Sequence, residues 1–155
     1  MSVPEILEKL VGKWRGVNRL HTTWVPDNPV RESLSRAIVE LTARGRFLKF
    51  EYDWTFDDAL QEGLILIGDE KASDSIKAFW IDSWHLSDKF MVSEGARAPD
   101  GTISLKGFYA VPDHPDWGWR TDLEPEHENS FKITMYNVSP EGEETLAVEM
   151  EFERQ

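Results

Sequence analysis

The chain has no cysteine. Disulfides, thiolate nucleophiles and cysteine-ligated metals are therefore excluded, and the fold must stand on packing and hydrogen bonds alone. It also lacks any apolar run near the ~18 residues that suggest a membrane helix. Its start carries the acidic Glu5 and Glu8 in place of a basic signal-peptide lead, and a cytoplasmic protein is expected. Basic residues are scarce: 17 Lys and Arg stand against 29 Asp and Glu, a formal net charge of −12. Such a field opposes phosphate backbones and anionic bilayers, which makes nucleic acid and membrane poor partners. No HExxH, GxSxG, Walker or dinucleotide pattern occurs, so the strong catalytic signals are missing.

What is present is the makings of one domain, residues 1–155, with 40% hydrophobic content and seven tryptophans. Ser2 and Glu5 have capping-box spacing, Pro4 suits a first helical turn, and Ile6, Leu7, Leu10 and Val11 recur at helical spacing before Gly12. One short amphipathic helix is predicted there. After it the period changes to two, which marks antiparallel strands. The strands are predicted near 13–24, 32–42, 46–55, 60–68, 75–84, 88–96, 102–110, 118–123, 129–137 and 145–154. Turn chemistry separates them, with Asp100-Gly101 the strongest tight-hairpin signal. Short strands with short connections can stack as a sandwich or close as a barrel, and closure removes exposed edges.

The last strand shows its alternation plainly: Leu146, Val148, Met150, Phe152 and Arg154 share the inward face, and Thr145, Ala147, Glu149, Glu151 and Glu153 the outer one. If the helix closes one end of a barrel, Trp14 sits at that end and Arg154 can lie across its ring, with Gly12 and Gly16 easing the turn into the first strand. VGKWRG followed by many strands and a final EFER resembles the lipocalin, or calycin, pattern. GRFLKFEYDW at 45–54, QEGLILIGDEKASDSIKAFWIDSW at 61–84, ITMYNVSPEGEE at 133–144 and the closing VEMEFER resemble the bacterial family catalogued as domain of unknown function 1579. Where that family usually shows Gly-Tyr-Asp, this chain has Gly68-Asp69-Glu70. The resemblance implies an all-β, antiparallel, lipocalin-like up-and-down barrel of about ten strands, one end closed by the helix; it implies no reaction.

Several residues are placed to meet a ligand inside such a barrel. Trp80, Asp82 and Trp84 share one strand face and Phe79, Ile81 and Ser83 the other; either face can be the inner one. If the tryptophan face is inside, Asp82 is a carboxylate among indoles that needs a partner. Tyr52 and Trp54 continue an apolar face with Leu48 and Phe50, and Met135 lies on another with Phe131 and Ile133. Trp117 and Trp119 fall in PDHPDWGWR, which suits either a mouth flap or a fixed proline-rich connection. His21 and His85 are the histidines that can face a cavity; the haem barrels this pattern resembles place an iron-binding histidine late in the chain, and the last two strands here contain none, which disfavours haem. No cofactor and no metal are expected. The leading reading is a carrier or sensor for one small apolar or amphipathic molecule. Its rivals are an isomerase or hydrolase using Asp82 or a histidine beside Tyr52, and a module that binds a protein or pairs with itself as a homodimer.

Overall fold

The structure is a computed structural model that describes residues 3–155. Ser2, and with it the predicted capping box, lies outside the described residues. One short helix, α1 (Glu5–Glu8), precedes ten strands. They are β1 (Gly12–His21), β2 (Val30–Thr42), β3 (Phe47–Phe56), β4 (Ala59–Glu70), β5 (Ser75–Asp82), β6 (Met91–Arg97), β7 (Ile103–Val111), β8 (His114–His127), β9 (Ser130–Val138) and β10 (Glu144–Arg154). Every strand pairs antiparallel with its neighbour in sequence, and β1 pairs with β10 to close the barrel. Among the described residues no helix is long and apolar enough to cross a membrane.

Alternation sets the interior. Val148, Met150 and Phe152 of β10 are buried, as the period-two pattern requires, and a register shift between Leu146 and Val148 marks a bulge. On β5 the choice that periodicity leaves open is made: Trp80 and Asp82 are buried, while Ile81 is exposed on the outer wall. Strand ends shift by up to three residues at β1, β5 and β6, and two elements differ more. α1 is a single turn, and Val11 is exposed rather than part of the apolar face. The chain leaves α1 through i→i+3 bonds, Leu10 N–H to Leu7 and Val11 N–H to Glu8, and that tighter winding rotates Val11 off the buried stripe. β8 begins at His114 rather than near 118, because Pro112 and Asp113 alone make the turn; Asp113 takes φ 63° and Val111 pairs with His114. The stretch 112–120 is therefore the tip of a hairpin.

One end of the barrel is shut. Val3, Leu7 and Leu10 lie over Trp14, whose ring meets Phe131 edge-on at 4.6 Å, and Phe131 stacks on Phe152 at 5.1 Å. Trp14 Nε1 donates to the Leu10 carbonyl at 2.7 Å. The Arg154 guanidinium lies 4.3 Å from the Trp14 centroid and donates to the carbonyls of Lys9, Val11 and Glu128. Burying the indole contributes an upper bound of roughly 5 kcal/mol, against ~0.5–2 kcal/mol for the cation–π contact. Packing holds this end, and Arg154 joins its three segments. Gly12 is required here: its φ is +143°, and an added Cβ would lie 2.6 Å from Arg154 Nη1. Gly16 sits against the β10 backbone at Glu151.

Candidate functional site

With the lower half filled by side chains, the chemistry gathers at the other end. Tyr52, Gly63 and Asp82 stand in one row on β3, β4 and β5. Strands two apart are separated by about 10 Å, a span a phenol covers only if the intervening residue stays out of its way. Gly63 does so: a Cβ there would lie 2.2 Å from Tyr52 Cζ and hydroxyl oxygen. The Tyr52 hydroxyl donates to Asp82 Oδ2 at 2.6 Å and accepts from Trp80 Nε1 at 3.0 Å. Trp54 Nε1 also donates to Oδ2, at 3.2 Å. Oδ1 accepts the backbone N–H groups of Trp84 and His85, both at 2.8 Å. Four donors thus converge on two oxygens, the complement an ionised carboxylate takes. Burial, then the charge of Asp82, holds the Tyr52 hydroxyl well above its ordinary range, so it stays a protonated donor.

Asp82 also shapes the loop that leaves β5. A carboxylate that accepts from the backbone two and three residues on nucleates a tight turn. The Leu86 N–H bonds back to the Asp82 carbonyl, and residues 83–90 cross the open end. Trp84 lands edge-on against Trp54 and beside Phe56. His85 lands among four indoles, its ring centroid 4.8 Å from that of Trp84, 5.5 Å from Trp119 and 5.6 Å from both Trp54 and Trp80. Trp80 and Trp119 are themselves stacked at 5.5 Å. Trp119 Nε1 is buried with no hydrogen-bond partner. Among the described residues the His85 ring nitrogens have none either, and the residue is half-buried against the rings.

Burial pushes the His85 imidazole below its ordinary range, with the Asp82 charge opposing in part. The group is therefore neutral in the folded protein near pH 7. Between the folded and unfolded values the unfolded chain binds more protons, so stability is full above a pH of about 6.5 and falls as the pH drops below it. Urea unfolding followed from neutral to mildly acidic pH should show this slope, and His85→Phe should flatten it. A slope unchanged in that variant would mean the imidazolium reaches solvent.

Of the residues singled out from sequence, Tyr52, Trp54, Trp80, Asp82, Trp84, His85 and Trp119 are brought together. Met135 is buried deeper in the interior, paired in register with Thr121 and Val148. Trp117 is half-buried near the rim and belongs to none of these ring pairs. His21 is not part of the site. It follows the inward Leu20, so its ring points outward, where Nε2 meets Glu149 Oε1 at 2.8 Å. Gly63 is the residue that sequence reading misses, since only strand register shows it between Tyr52 and Asp82. Among the described residues no group of three or more His, Asp or Glu is placed to hold a metal ion.

The arrangement is better equipped to recognise than to react. Asp82 and Tyr52 have their hydrogen-bonding capacity committed to each other, to the indoles and to the backbone of the following turn. What remains free is the partly exposed surface of Trp84 and Trp119, the buried Trp119 N–H and one neutral imidazole. Comparison with known proteins agrees on the frame. A family model described as "Protein of unknown function (DUF1579)" matches residues 2–154. No curated protein matches. Among solved structures, the S-type phycobiliprotein lyase CPES from Guillardia theta superposes with a TM-score of 0.63 at 17% identity, covering 100% of this chain and 93% of that one. At that identity the likeness is one of fold.

Proposed function

This chain belongs to the DUF1579 family, and on that footing we propose that it binds one small amphipathic molecule with a flat apolar body at the tryptophan-lined mouth of its barrel. The observation that carries the proposal is the buried, unpartnered Trp119 Nε1 beside the unbonded His85 imidazole. A buried N–H left without an acceptor costs about 1–3 kcal/mol, which an acceptor oxygen on a ligand removes. The partly exposed rings of Trp84 and Trp119, backed by the buried Trp54 and Trp80, supply the apolar wall, and a ligand with a carbonyl or carboxylate at one edge meets both free groups. The similarly folded lyase supports the barrel as the container and lends no ligand. An isomerase or hydrolase with Asp82 as general base finds less support, because both its oxygens are already occupied.

Native mass spectrometry of protein purified from its own cells tests the proposal, together with titration of tryptophan emission by flat aromatic carboxylates. The expected result is a one-to-one adduct lost on denaturation and a saturable change in emission. Trp119→Phe keeps an aromatic ring, though a smaller one, and removes the N–H, and should weaken binding roughly tenfold. No adduct together with unresponsive emission would remove the proposal.

A further inference from the structure

The outer wall of the barrel changes character around its circumference, with the β1–β3 face of mixed charge and scattered apolar residues such as Leu34 and Ile38. On β8 to β10 the outward side chains are mostly charged, among them Asp122, Glu124, Lys132, Glu149, Glu151 and Glu153. On β4 to β7 they are largely apolar. Leu66 pairs with Phe79 and Phe79 with Val92, making a row across β4, β5 and β6, and Leu64 with Ile81 forms the next. Two residues on from the Glu94–Lys106 pair, Phe108 of β7 extends the first row. Phe90 leaves the mouth loop to stack on Phe79 at 4.8 Å. Phe90 and Phe108 are each 61% exposed and Val92 59%.

We propose that this β4–β7 wall is the interface through which two copies of the chain form a symmetric dimer. Area is the first support. Together with Ile81, those three side chains expose on the order of 400 Å², the size at which a contiguous apolar patch marks an interaction site. A stable interface needs about 800 Å² per partner, and the partly exposed Leu64, Leu66 and Phe79 with the bordering Lys77, Glu94 and Lys106 bring the wall toward it. Charge is the second. Lys77, Glu94 and Lys106 stand in one row across β5, β6 and β7 and alternate in sign, so this wall is close to neutral in a chain of net charge −12. The acidic β8–β10 wall repels a second copy; the β4–β7 wall meets one without like-charge cost. A second copy presents the same apolar rows, whereas an anionic bilayer meets the field of the whole chain.

Sedimentation equilibrium of the full chain at low and high salt tests this. The wild type should dimerise, and more tightly as salt screens the mutual repulsion of two acidic barrels. Val92→Glu and Phe108→Glu each place a charge at the centre of the wall and should weaken the dimer at least ~100-fold. Both positions are exposed, so the folded monomer is retained, checked by an unchanged tryptophan spectrum. Leu34→Glu, on β2 at 82% exposure outside this wall, should leave the dimer intact. A wild type that stays monomeric at every concentration and salt overturns the proposal. So does a dimer that survives Val92→Glu, or a monomer that collects instead on vesicles of neutral lipid.

Discussion

Asp82→Ala lowers the stability of the folded chain by about 3–5 kcal/mol, because it strips the acceptor from four donors at once. Two of these, the Tyr52 hydroxyl and Trp54 Nε1, are buried in the wall and cannot turn to water. The other two are the backbone N–H groups of Trp84 and His85, which recover solvent only if the loop lifts. The loss therefore has two signatures. Urea unfolding shifts to a lower midpoint, and amide exchange over residues 83–90 accelerates before the rest of the barrel opens. Asp82→Asn keeps one acceptor oxygen and turns an NH₂ toward the remaining donors, so it falls between the two. A loss below ~1 kcal/mol for Asp82→Ala would show that the donors find other partners and that the carboxylate does not hold the mouth together.

Gly63→Ala adds one methyl group and costs about 2–4 kcal/mol. The new carbon would lie 2.2 Å from Tyr52 Cζ and hydroxyl oxygen, whereas carbon contacts settle near ~3.5–4 Å. Tyr52 is only 5% exposed, with Phe50 stacked at 5.4 Å, so its ring has no easy retreat. The shift breaks the bond to Asp82 and loosens the turn that carries His85. A double-mutant cycle makes the mechanism specific. In a Tyr52→Ala background the clash is gone, and the same Gly63→Ala change should cost under ~0.5 kcal/mol. An equal cost in both backgrounds would assign the effect to the β4 backbone and not to the phenol.

Much of the frame is legible along the chain. Val148, Met150 and Phe152 of β10 point inward because strand geometry alternates, while the bulge before them turns Ala147 rather than the expected Leu146 onto the core, and Trp14 and Arg154 meet because the first and last strands close the sheet. Boundaries fare worse where turns decide them: β5 stops at Asp82 because that side chain caps the following turn, a spacing that the letters DSWH carry but periodicity does not reveal. His21 and His85 look alike in sequence. Parity sends the first to Glu149 on the outer wall, and a turn sends the second into the indoles.

By itself the sequence determined the antiparallel all-β class and the identity of most inward side chains, since both follow from local geometry with a period of two, while the barrel and its closed end rested on the family resemblance. Only the tertiary structure decided that Tyr52 reaches Asp82 across Gly63, that four tryptophans from β3, β5, β8 and the mouth loop surround one histidine, and that Phe79, Ile81, Phe90, Val92 and Phe108 adjoin on one wall. Those facts depend on which residue of one strand lies opposite which residue of the next. That register is set by the summed packing of the closed barrel, a quantity no single segment contains.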